Sequence, residues 1–304
     1  MNSASEFQDL LACPNCHSKL VFDAERAACQ ACSATFAKLE PGPYDLRLTA
    51  PKRVEIGINI GPGVDGPEPQ FGLMRPHSAP EVEFDPAQLP VHLSAEMATY
   101  IPRAATPDSV CLDLGCGAGA YRATLEKAGY RWVGFDYNHP HAPLWADAHA
   151  LPFANNSIDF VMSLAVLEHI KHPSVMLREV ARVLKPGGMY FGTVAYLIPF
   201  HDWASYFNMT HHGVWSALQD AGLETEFVFG DGAYLAIHAL FREGLFVGLS
   251  PRWSTALIKP LLCLHRLYWM WRRRNGRARS DRDWQSILNT GAFAYRARKS
   301  DAGV

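Results

Sequence analysis

Four cysteines near the N-terminus have the spacing of a metal site. Cys13 and Cys16 form one C-x2-C pair, Cys29 and Cys32 form a second, and twelve residues separate the pairs. Two such turns bring four thiolates together in the tetrahedral arrangement that Zn²⁺ prefers. Disulfide bonding is the alternative, but a reducing compartment disfavours it. Because a unit of about 40 residues buries too little apolar surface to fold alone, we expect the zinc to be structural.

A glycine-rich turn further along the chain has the composition of a ligand-binding loop. The segment VCLDLGCGAGAY, from Val110 to Tyr121, is an apolar strand pattern that opens into glycines and is followed by a helix-forming stretch. Strand, glycine turn and helix form the first unit of a nucleotide-binding α/β sheet. A carboxylate two residues before the first glycine disfavours a pyrophosphate and favours a cationic ligand. The candidate contacts are Asp113, Gly115, Cys116, Gly117 and Gly119.

The next predicted strand ends at an acidic residue. Arg131–Phe135 is largely apolar and is followed by Asp136, at the position where such a sheet places a carboxylate on the ribose hydroxyls. Only ten residues separate Asp136 from Asp147, and Pro140 and Pro143 exclude a helix between them. There is therefore no room for the usual helix and third strand. We expect residues 49–109, which precede the glycine turn, to cover the adenine side that this leaves open.

Two stretches resemble class I S-adenosylmethionine (SAM) methyltransferases. VCLDLGCGAGAY is similar to their first motif, and residues 146–188 contain LPF, NNSIDFV, VLEHI and RVLKPGG in the order and spacing of UbiE-like (type 11) members. The cysteine-rich segment resembles the Trm112-like zinc ribbon. The resemblance implies a Rossmann-like α/β sheet, mostly parallel with an antiparallel seventh strand, and SAM as the cofactor. It adds further residues to the expected SAM contacts: Asp136, Tyr137, Asp147, Ala148, Leu164 and His169.

The methyl acceptor is expected beside the segment PFHDWASYFNMT at 199–210. This segment is similar to a stretch of a methyltransferase subgroup often associated with saccharides, although Asn208 stands where an arginine is usual. Since it follows the fifth predicted strand, it would line the acceptor side. We predict His201, Asp202 and His211 as the catalytic residues that remove a proton. The alternative is a hydrogen-bonded loop cluster with no catalytic role.

Three functions are compatible with these motifs. The resemblance favours O-methylation of a sugar hydroxyl or another polar metabolite, including a lipid-linked one. RNA methylation is the second, because a ribosomal-RNA guanine methyltransferase family shares the ribbon-plus-methyltransferase order. Against nucleic acid, residues 1–250 carry 16 Lys and Arg against 27 Asp and Glu. The third is a non-catalytic scaffold that binds SAM or a partner, which the complete SAM motifs disfavour.

Composition divides the chain into three parts. We predict a zinc ribbon at 1–48, a proline- and glycine-rich linker or cap at 49–104, and a methyltransferase domain at 105–304 with a helical insertion at 230–290. The predicted SAM contacts lie wholly outside the ribbon. Further predicted strands are Lys19–Phe22, Ala34–Leu39, Ile158–Ser163, Met189–Val194, Glu224–Phe229 and Gly291–Arg298. The predicted helices are Ser94–Tyr100, Tyr121–Ala128, Val175–Leu184, His211–Ala221, Tyr234–Leu249 and Ala256–Trp271.

The C-terminal part of the chain is basic, with twelve Lys and Arg against three Asp and Glu from Pro251 onward. Trp269 and Trp271 precede Arg272–Arg274, and aromatic rings beside a cationic cluster are typical of a helix at a membrane surface. Residues 256–279 are therefore candidates for contact with an anionic membrane. Packing on the sheet or a homodimer interface is the alternative, and it is the commoner use of such helices. The polar first ten residues and the lack of a long apolar run predict a cytoplasmic protein, bound at the inner face of the membrane if this helix binds lipid.

Overall fold

The cysteine-rich segment folds as a three-stranded antiparallel sheet. Its strands are β1 (Leu20–Phe22), β2 (Arg26–Cys29) and β3 (Thr35–Ala37). The computed structural model describes residues 7–40, 42–58, 79–202, 204–232, 235–276 and 282–301. Part of the predicted linker (59–78) and part of the predicted membrane segment (277–279) lie outside these residues.

A second sheet of six strands forms the centre of the molecule. Its strands are β4 (Val110–Leu114), β5 (Arg131–Phe135), β6 (Ile158–Ser163), β7 (Leu184–Ala195), β8 (Leu223–Gly230) and β9 (Ala292–Lys299). Their spatial order is β5-β4-β6-β7-β9-β8, and β9 runs antiparallel to both of its neighbours while the other pairs are parallel. This confirms the predicted Rossmann-like class with an antiparallel last strand. The strand order reverses between β4 and β6, where such sheets bind their ligands.

Helices flank the sheet and form the insertion. They are α1 (Ala95–Ala98), α2 (Arg122–Lys127), α3 (Pro173–Val183), α4 (His211–Asp220), α5 (Ala236–Ala239), α6 (Pro251–Arg274) and α7 (Arg282–Asn289). Two 3-10 turns, Pro86–Gln88 and Leu167–His169, and a π-helical turn, Leu240–Leu245, complete the helical elements. The insertion departs from its prediction, because the first apolar stretch forms only the short α5 and the π turn, whereas α6 is longer than expected.

The third strand that is usual in such sheets is reduced here to a single residue, Trp145. Trp145 forms parallel bridges with both Asp136 and Asp45. The backbone N–H of Trp145 donates to the Tyr44 carbonyl at 3.1 Å, and the Trp145 carbonyl accepts from the Leu46 backbone N–H at 2.8 Å. The segment that follows the ribbon therefore forms this edge of the sheet, as an additional short strand would.

The two faces of the sheet are covered by different parts of the N-terminal third. The ribbon residues Phe7, Leu11 and Phe36 belong to the same buried apolar cluster as Phe153 and Val133 of the domain. On the opposite face, the buried cap residues are Val82, Leu93, Met97 and Ile101, which cluster with Trp132 and Phe227. At the sheet edge beside Asp136, residues 44–46 pair with Trp145. The expectation that residues 49–109 cover the adenine side stays a prediction, because 59–78 lie outside the described residues.

Candidate functional site

The four ribbon cysteines converge as a zinc site requires. The Sγ atoms of Cys13 and Cys32 are 3.6 Å apart, those of Cys16 and Cys29 are 3.5 Å apart, and all four lie within 4.8 Å of one another. Tetrahedral Zn²⁺ with zinc–sulfur distances of about 2.3 Å places its ligands about 3.8 Å apart. The observed distances greatly exceed the ~2.05 Å of a disulfide bond. The donor set thus fits structural zinc.

The glycine turn lies at the point where the strand order reverses. The N–H groups of Gly115 and Cys116 both donate to the Phe135 carbonyl, at 3.0 and 2.9 Å, which ties the turn to the end of β5. Gly115 has a φ of +74°, and a Cβ on it would lie 2.5 Å from Cγ2 of Val166. A side chain would not fit there, because the loop after β6 lies close to the turn. The space between this loop and the carboxyl ends of β4 and β5 is the crevice.

Asp136 stands at the carboxyl end of β5 and faces the same crevice. Its Oδ2 accepts from the Gly117 N–H at 3.1 Å, and its Oδ1 accepts from the N–H groups of Asn138 and His139 at 3.3 and 3.2 Å. These bonds fix the carboxylate and leave Oδ2 with one free lone pair. Asp136 can therefore hold the glycine turn and accept a hydrogen bond from a ligand hydroxyl.

The crevice contains a cavity of about 230 Å³ between β4, β5 and the loop after β6. Five of the predicted SAM contacts line it: Gly115, Asp136, Tyr137, Ala148 and His169. Leu114, Phe135, Ala146, Ala165 and Val166 complete the lining. Ala165 has a φ of +54°, and its N–H donates to Oγ1 of Thr193 at 2.8 Å. The strained backbone directs this loop into the crevice.

The other predicted SAM contacts lie behind the lining or beside it. Asp113 is buried and accepts from the Trp132 indole N–H at 3.0 Å. Burial raises the pKa of Asp113 to about 7; the Trp132 hydrogen bond opposes this shift and the Asp136 charge adds to it. The remaining members of this set are not among the lining residues: Cys116, Gly117, Gly119, Asp147 and Leu164. Asp113 thus supports the turn from within the core.

A cation covers the predicted adenine side. The guanidinium of Arg47 lies 5.2 Å from the ring centre of Tyr137 and 4.8 Å from that of Trp145, and it forms an ion pair with Asp45. Arg47 and Trp145 are absent from the sequence-based predictions, because Arg47 is distant in sequence and no motif marks it. Burial acts to raise the pKa of Asp147 nearby, but the hydrogen bonds of His149 and the charges of His149 and Arg47 outweigh it and lower this pKa.

The predicted acceptor side brings two of the three catalytic candidates together with a buried glutamate. The Nε2 atom of His201 lies 4.0 Å from Oε1 of Glu168, and Nε2 of His169 lies 3.7 Å from Oδ2 of Asp202. The rings of His169 and His201 are 5.0 Å apart and nearly perpendicular. Burial raises the pKa of Glu168, against the charges of both histidines. His169 also lines the cavity, so this cluster adjoins the crevice.

The third catalytic candidate has different neighbours. The ring of His211 lies 4.2 Å from His212 and 5.7 Å from Phe293 of β9. Burial lowers the pKa of His211, and the charge of His212 adds to the effect. A residue that the sequence did not mark, His92 of the cap, faces the acceptor cluster instead. Burial lowers the pKa of His92, while the neighbouring Asp202 carboxylate raises it.

Comparison with known proteins identifies the central part of the chain. Residues 112–192 match the family model described as "Methyltransferase domain". The match includes the glycine turn, Asp136 and the loop after β6. It confirms the prediction of a class I methyltransferase domain in this part of the chain.

Curated relatives and solved structures are similar over parts of their length. The Cellvibrio japonicus "Biotin biosynthesis bifunctional protein BioHC" is 34% identical over 157 residues, which are 48% of this chain and 28% of that protein. An uncharacterized methyltransferase of Mycobacterium marinum is 34% identical over 34% of this chain and 49% of its own length. The chain thus spans less than half of either relative. A chain of the solved "Complex between the Haloferax volcanii Trm112 methyltransferase activator and the putative methyltransferase" has a TM-score of 0.44 and 21% identity, over 69% of this chain and 89% of that chain.

Proposed function

We propose that the chain is a SAM-dependent methyltransferase that methylates an oxygen of a sugar or a similar polar metabolite. The observation that carries the proposal is the position of Asp136, whose carboxylate faces the crevice beside the glycine turn of a matched methyltransferase domain. A carboxylate at this strand end suits the ribose hydroxyls. The turn leaves space at Gly117, where a Cβ would meet nothing within 4 Å.

The proposed SAM contacts fall into three groups, one each for the ribose, the methionine part and the adenine ring. Asp136 would accept from a ribose hydroxyl, and the backbone at 115–119 would lie against the methionine part. Tyr137 and Ala148 would flank the adenine ring, with Arg47 and Trp145 closing that edge. When bound, SAM supplies an electrophilic methyl group. The protein then has to align the acceptor oxygen and exclude water.

The acceptor would enter beside His201 and Asp202. A neutral sugar hydroxyl has a high pKa, so its methylation benefits from a nearby base. His201 lies between the cavity-lining His169 and the buried Glu168, in a pocket of polar side chains. Such a pocket suits a hydroxylated acceptor better than an apolar one. Asp202 is exposed at the rim, where it would meet the acceptor as it enters.

RNA methylation remains the alternative reaction. The acidic balance of residues 1–250 disfavours it, because a nucleic-acid site needs clustered cations along the phosphate path. The non-catalytic scaffold is the alternative without chemistry. A scaffold would bind SAM or a partner and transfer no methyl group.

We further propose that α6 binds an anionic membrane surface and that the acceptor is presented there. Within the described residues, every helix is too short or too polar to cross a membrane. The side chains of α6 are nevertheless apolar and exposed along one stripe: Trp253, Leu257, Leu261, Leu264, Tyr268 and Trp271. Basic residues flank the stripe, and the whole region from Pro251 is cationic. Rings and cations in this arrangement match the headgroup layer of a lipid surface. The proposed location is the cytoplasm, where the four zinc-binding thiolates of the ribbon would stay reduced.

The proposed activity is tested by methyl transfer from labelled SAM to separated lipid, glycan, RNA, protein and small-molecule fractions. We expect label in the glycan or lipid-linked fraction, and the label should resist base and acid as an ether does. Label in RNA would support the alternative reaction. SAM binding by calorimetry with no label in any fraction would support the scaffold.

A further inference from the structure

Two imidazole rings beside the crevice have the tautomer of their neutral form fixed by backbone carbonyls. Nδ1 of His169 lies 2.7 Å from the Ala204 carbonyl oxygen, and Nδ1 of His201 lies 3.1 Å from that of Pro199. A carbonyl oxygen only accepts hydrogen bonds, so both Nδ1 atoms must carry the proton. In the neutral rings, each Nε2 atom therefore presents a lone pair. This is how proteins orient histidines that bind a metal ion.

The lone pairs face carboxylates rather than donors. Nε2 of His201 is directed at Glu168 and Nε2 of His169 at Asp202, over 4.0 and 3.7 Å. An unprotonated nitrogen and a carboxylate oxygen both carry electron density and repel each other. A positive charge between them removes the repulsion. Either a proton between each nitrogen and its carboxylate or a bound cation can supply that charge.

The buried carboxylate of Glu168 favours the cation. Glu168 is only 3% exposed, and its Oε2 atom has no hydrogen-bond partner among the described residues. Leaving a buried carboxylate oxygen unpaired costs free energy, because the lost hydration is not replaced. The backbone position of the residue is fixed, since its carbonyl accepts from the N–H groups of Tyr206 and Phe207. The other oxygen of this carboxylate, Oε1, is the one 4.0 Å from Nε2 of His201. A buried carboxylate with an unpaired oxygen, next to a ring nitrogen that presents a lone pair, is what a metal site needs.

From these contacts we propose that Glu168, His169 and His201 bind a divalent first-row transition cation, with Asp202 as a fourth ligand. One ligand atom of each of the first three lies within 4.8 Å of the other two. A cation at about 2.1 Å from each atom draws them together by roughly 1 Å. Two imidazoles and one carboxylate form a ligand set that leaves coordination positions open. Because His169 also lines the cavity, an open position faces the crevice, where a ligand oxygen can coordinate.

Binding of Mn²⁺ to the purified protein tests the site without SAM or an acceptor, so its result is independent of the proposed activity. The probe is Mn²⁺ alone, followed by loss of the free-ion electron paramagnetic resonance signal at pH 7.5. The ribbon does not compete, because thiolates hold zinc in preference to manganese. We expect one Mn²⁺ per chain in the wild type. Glu168→Gln and His201→Asn should each weaken binding at least tenfold.

The control is His238→Asn, the same exchange at a histidine of α5, which should bind Mn²⁺ as the wild type does. Each variant is also checked for an unchanged circular dichroism melt, and His169→Asn replaces any variant that fails to fold. A wild type that leaves 1 mM Mn²⁺ free overturns the proposal and assigns the positive charge to protonated imidazoles. Equal Mn²⁺ affinity in the wild type and in Glu168→Gln overturns it as well.

Discussion

The guanidinium carbon of Arg47 lies 4.8 Å from the centre of the Trp145 indole ring. The two residues come from different parts of the chain: Arg47 follows the ribbon, and Trp145 stands in place of a third strand of the sheet. The contact places the end of the ribbon segment over the predicted adenine edge. The end of the ribbon segment therefore adjoins the proposed SAM site, and we expect the two to be coupled, whereas the sequence-based prediction places the SAM contacts wholly outside the ribbon.

Replacement of Arg47 tests this coupling. Arg47→Ala removes the cation from the faces of Tyr137 and Trp145 and leaves the adenine edge open. A cation stacked on aromatic rings contributes about 1 kcal/mol when partly exposed, so SAM affinity should fall roughly fivefold to tenfold by calorimetry. Arg53→Ala, an exposed arginine in the same segment, is the control. An unchanged affinity in Arg47→Ala would remove Arg47 from the site.

Asp136 should be necessary for SAM binding. Asp136→Ala removes the ribose acceptor and also releases the Gly117 N–H. A hydrogen bond to a charged acceptor contributes about 2 kcal/mol, so the affinity should fall by roughly 30-fold or more.

Asp136→Asn separates the two effects of that replacement. Its amide oxygen still accepts from the backbone while the charge is lost, so the affinity should fall by an intermediate factor. Wild-type affinity in both variants contradicts the assignment, provided that their thermal melts match that of the wild type.

Loss of the ribbon zinc should reach the SAM site through the shared core. Cys29→Ser removes one thiolate, so purified protein should lose one zinc equivalent by elemental analysis. Hydrogen exchange should then increase first over residues 7–40, because the metal holds this small sheet together. SAM affinity should fall too, since residues 44–47 form the sheet edge.

The matched control for the zinc prediction is Cys263→Ser, an exposed cysteine of α6 outside the cluster. It should keep the zinc content, the exchange pattern and the SAM affinity of the wild type. Native wild-type protein with four reactive ribbon thiols and no zinc would refute the metal assignment.

Much of the fold follows from local patterns, and the coupling between its parts does not. Short-range patterns predict the six sheet strands, the glycine turn and the lack of a helix after Asp136. These patterns are the alternation and runs of apolar residues, the glycines and the two prolines. β2 is missed because two of its four residues are alanines and pairing on both sides stabilises it. Gly187 and Gly188 predict a turn, and within β7 they lie in a bulge: residues 185–188 have no partner in the pairing with β6 or β9, and Gly187 has a φ of +72°.

In the site, too, the residues within sequence motifs are predicted and those brought in by tertiary packing are not. The residues after β4 and β5 carry motifs and are brought to one crevice as predicted from the chain order of the strands. Arg47 and His92 come from distant segments and have no motif, so only tertiary packing reveals them. Glu168 is visible in the sequence as part of VLEHI, but the lack of a hydrogen-bond partner for its Oε2 atom depends on three-dimensional burial.

The buried Asp113 should make stability depend on pH. Its pKa rises from 3.8 to about 7 on folding, so the folded state holds a proton that the unfolded state releases at lower pH. The contribution of Asp113 to the free energy of unfolding therefore falls as pH rises from about 4 to about 7 and stays constant above that. Three pKa units correspond to about 4 kcal/mol as an upper limit.

Urea unfolding of SAM-free protein between pH 4.5 and 8 measures this effect as a difference between variants. Asp113→Asn keeps an oxygen for the Trp132 indole and carries no charge. Relative to the wild type, it should become more stable as pH rises towards 7. Asp108→Asn, at an exposed position before β4, should show no such trend. A wild-type-minus-variant difference that does not change with pH would contradict the raised pKa.

The exposed stripe of α6 should bind anionic lipid vesicles. Leu261 and Leu264 are 53% and 63% exposed, and Lys259 and Arg266 are exposed cations of the same helix on another side of it. Cations near an anionic surface contribute about 1 kcal/mol each, and buried leucines add more. Wild-type protein should co-sediment with vesicles that contain an anionic lipid, less so at high salt, and not with neutral vesicles.

Two double variants separate the two contributions to this binding. Lys259→Gln with Arg266→Gln should weaken binding roughly tenfold or more and reduce its salt dependence, because the loss is electrostatic. Leu261→Gln with Leu264→Gln should weaken binding without changing the salt dependence. Lys38→Gln with Lys127→Gln, two cations outside the insertion, is the matched control and should bind as the wild type does. If the wild type binds no vesicle at any salt concentration and sediments as a dimer that the leucine pair dissociates, the stripe is an interface between two copies of the chain.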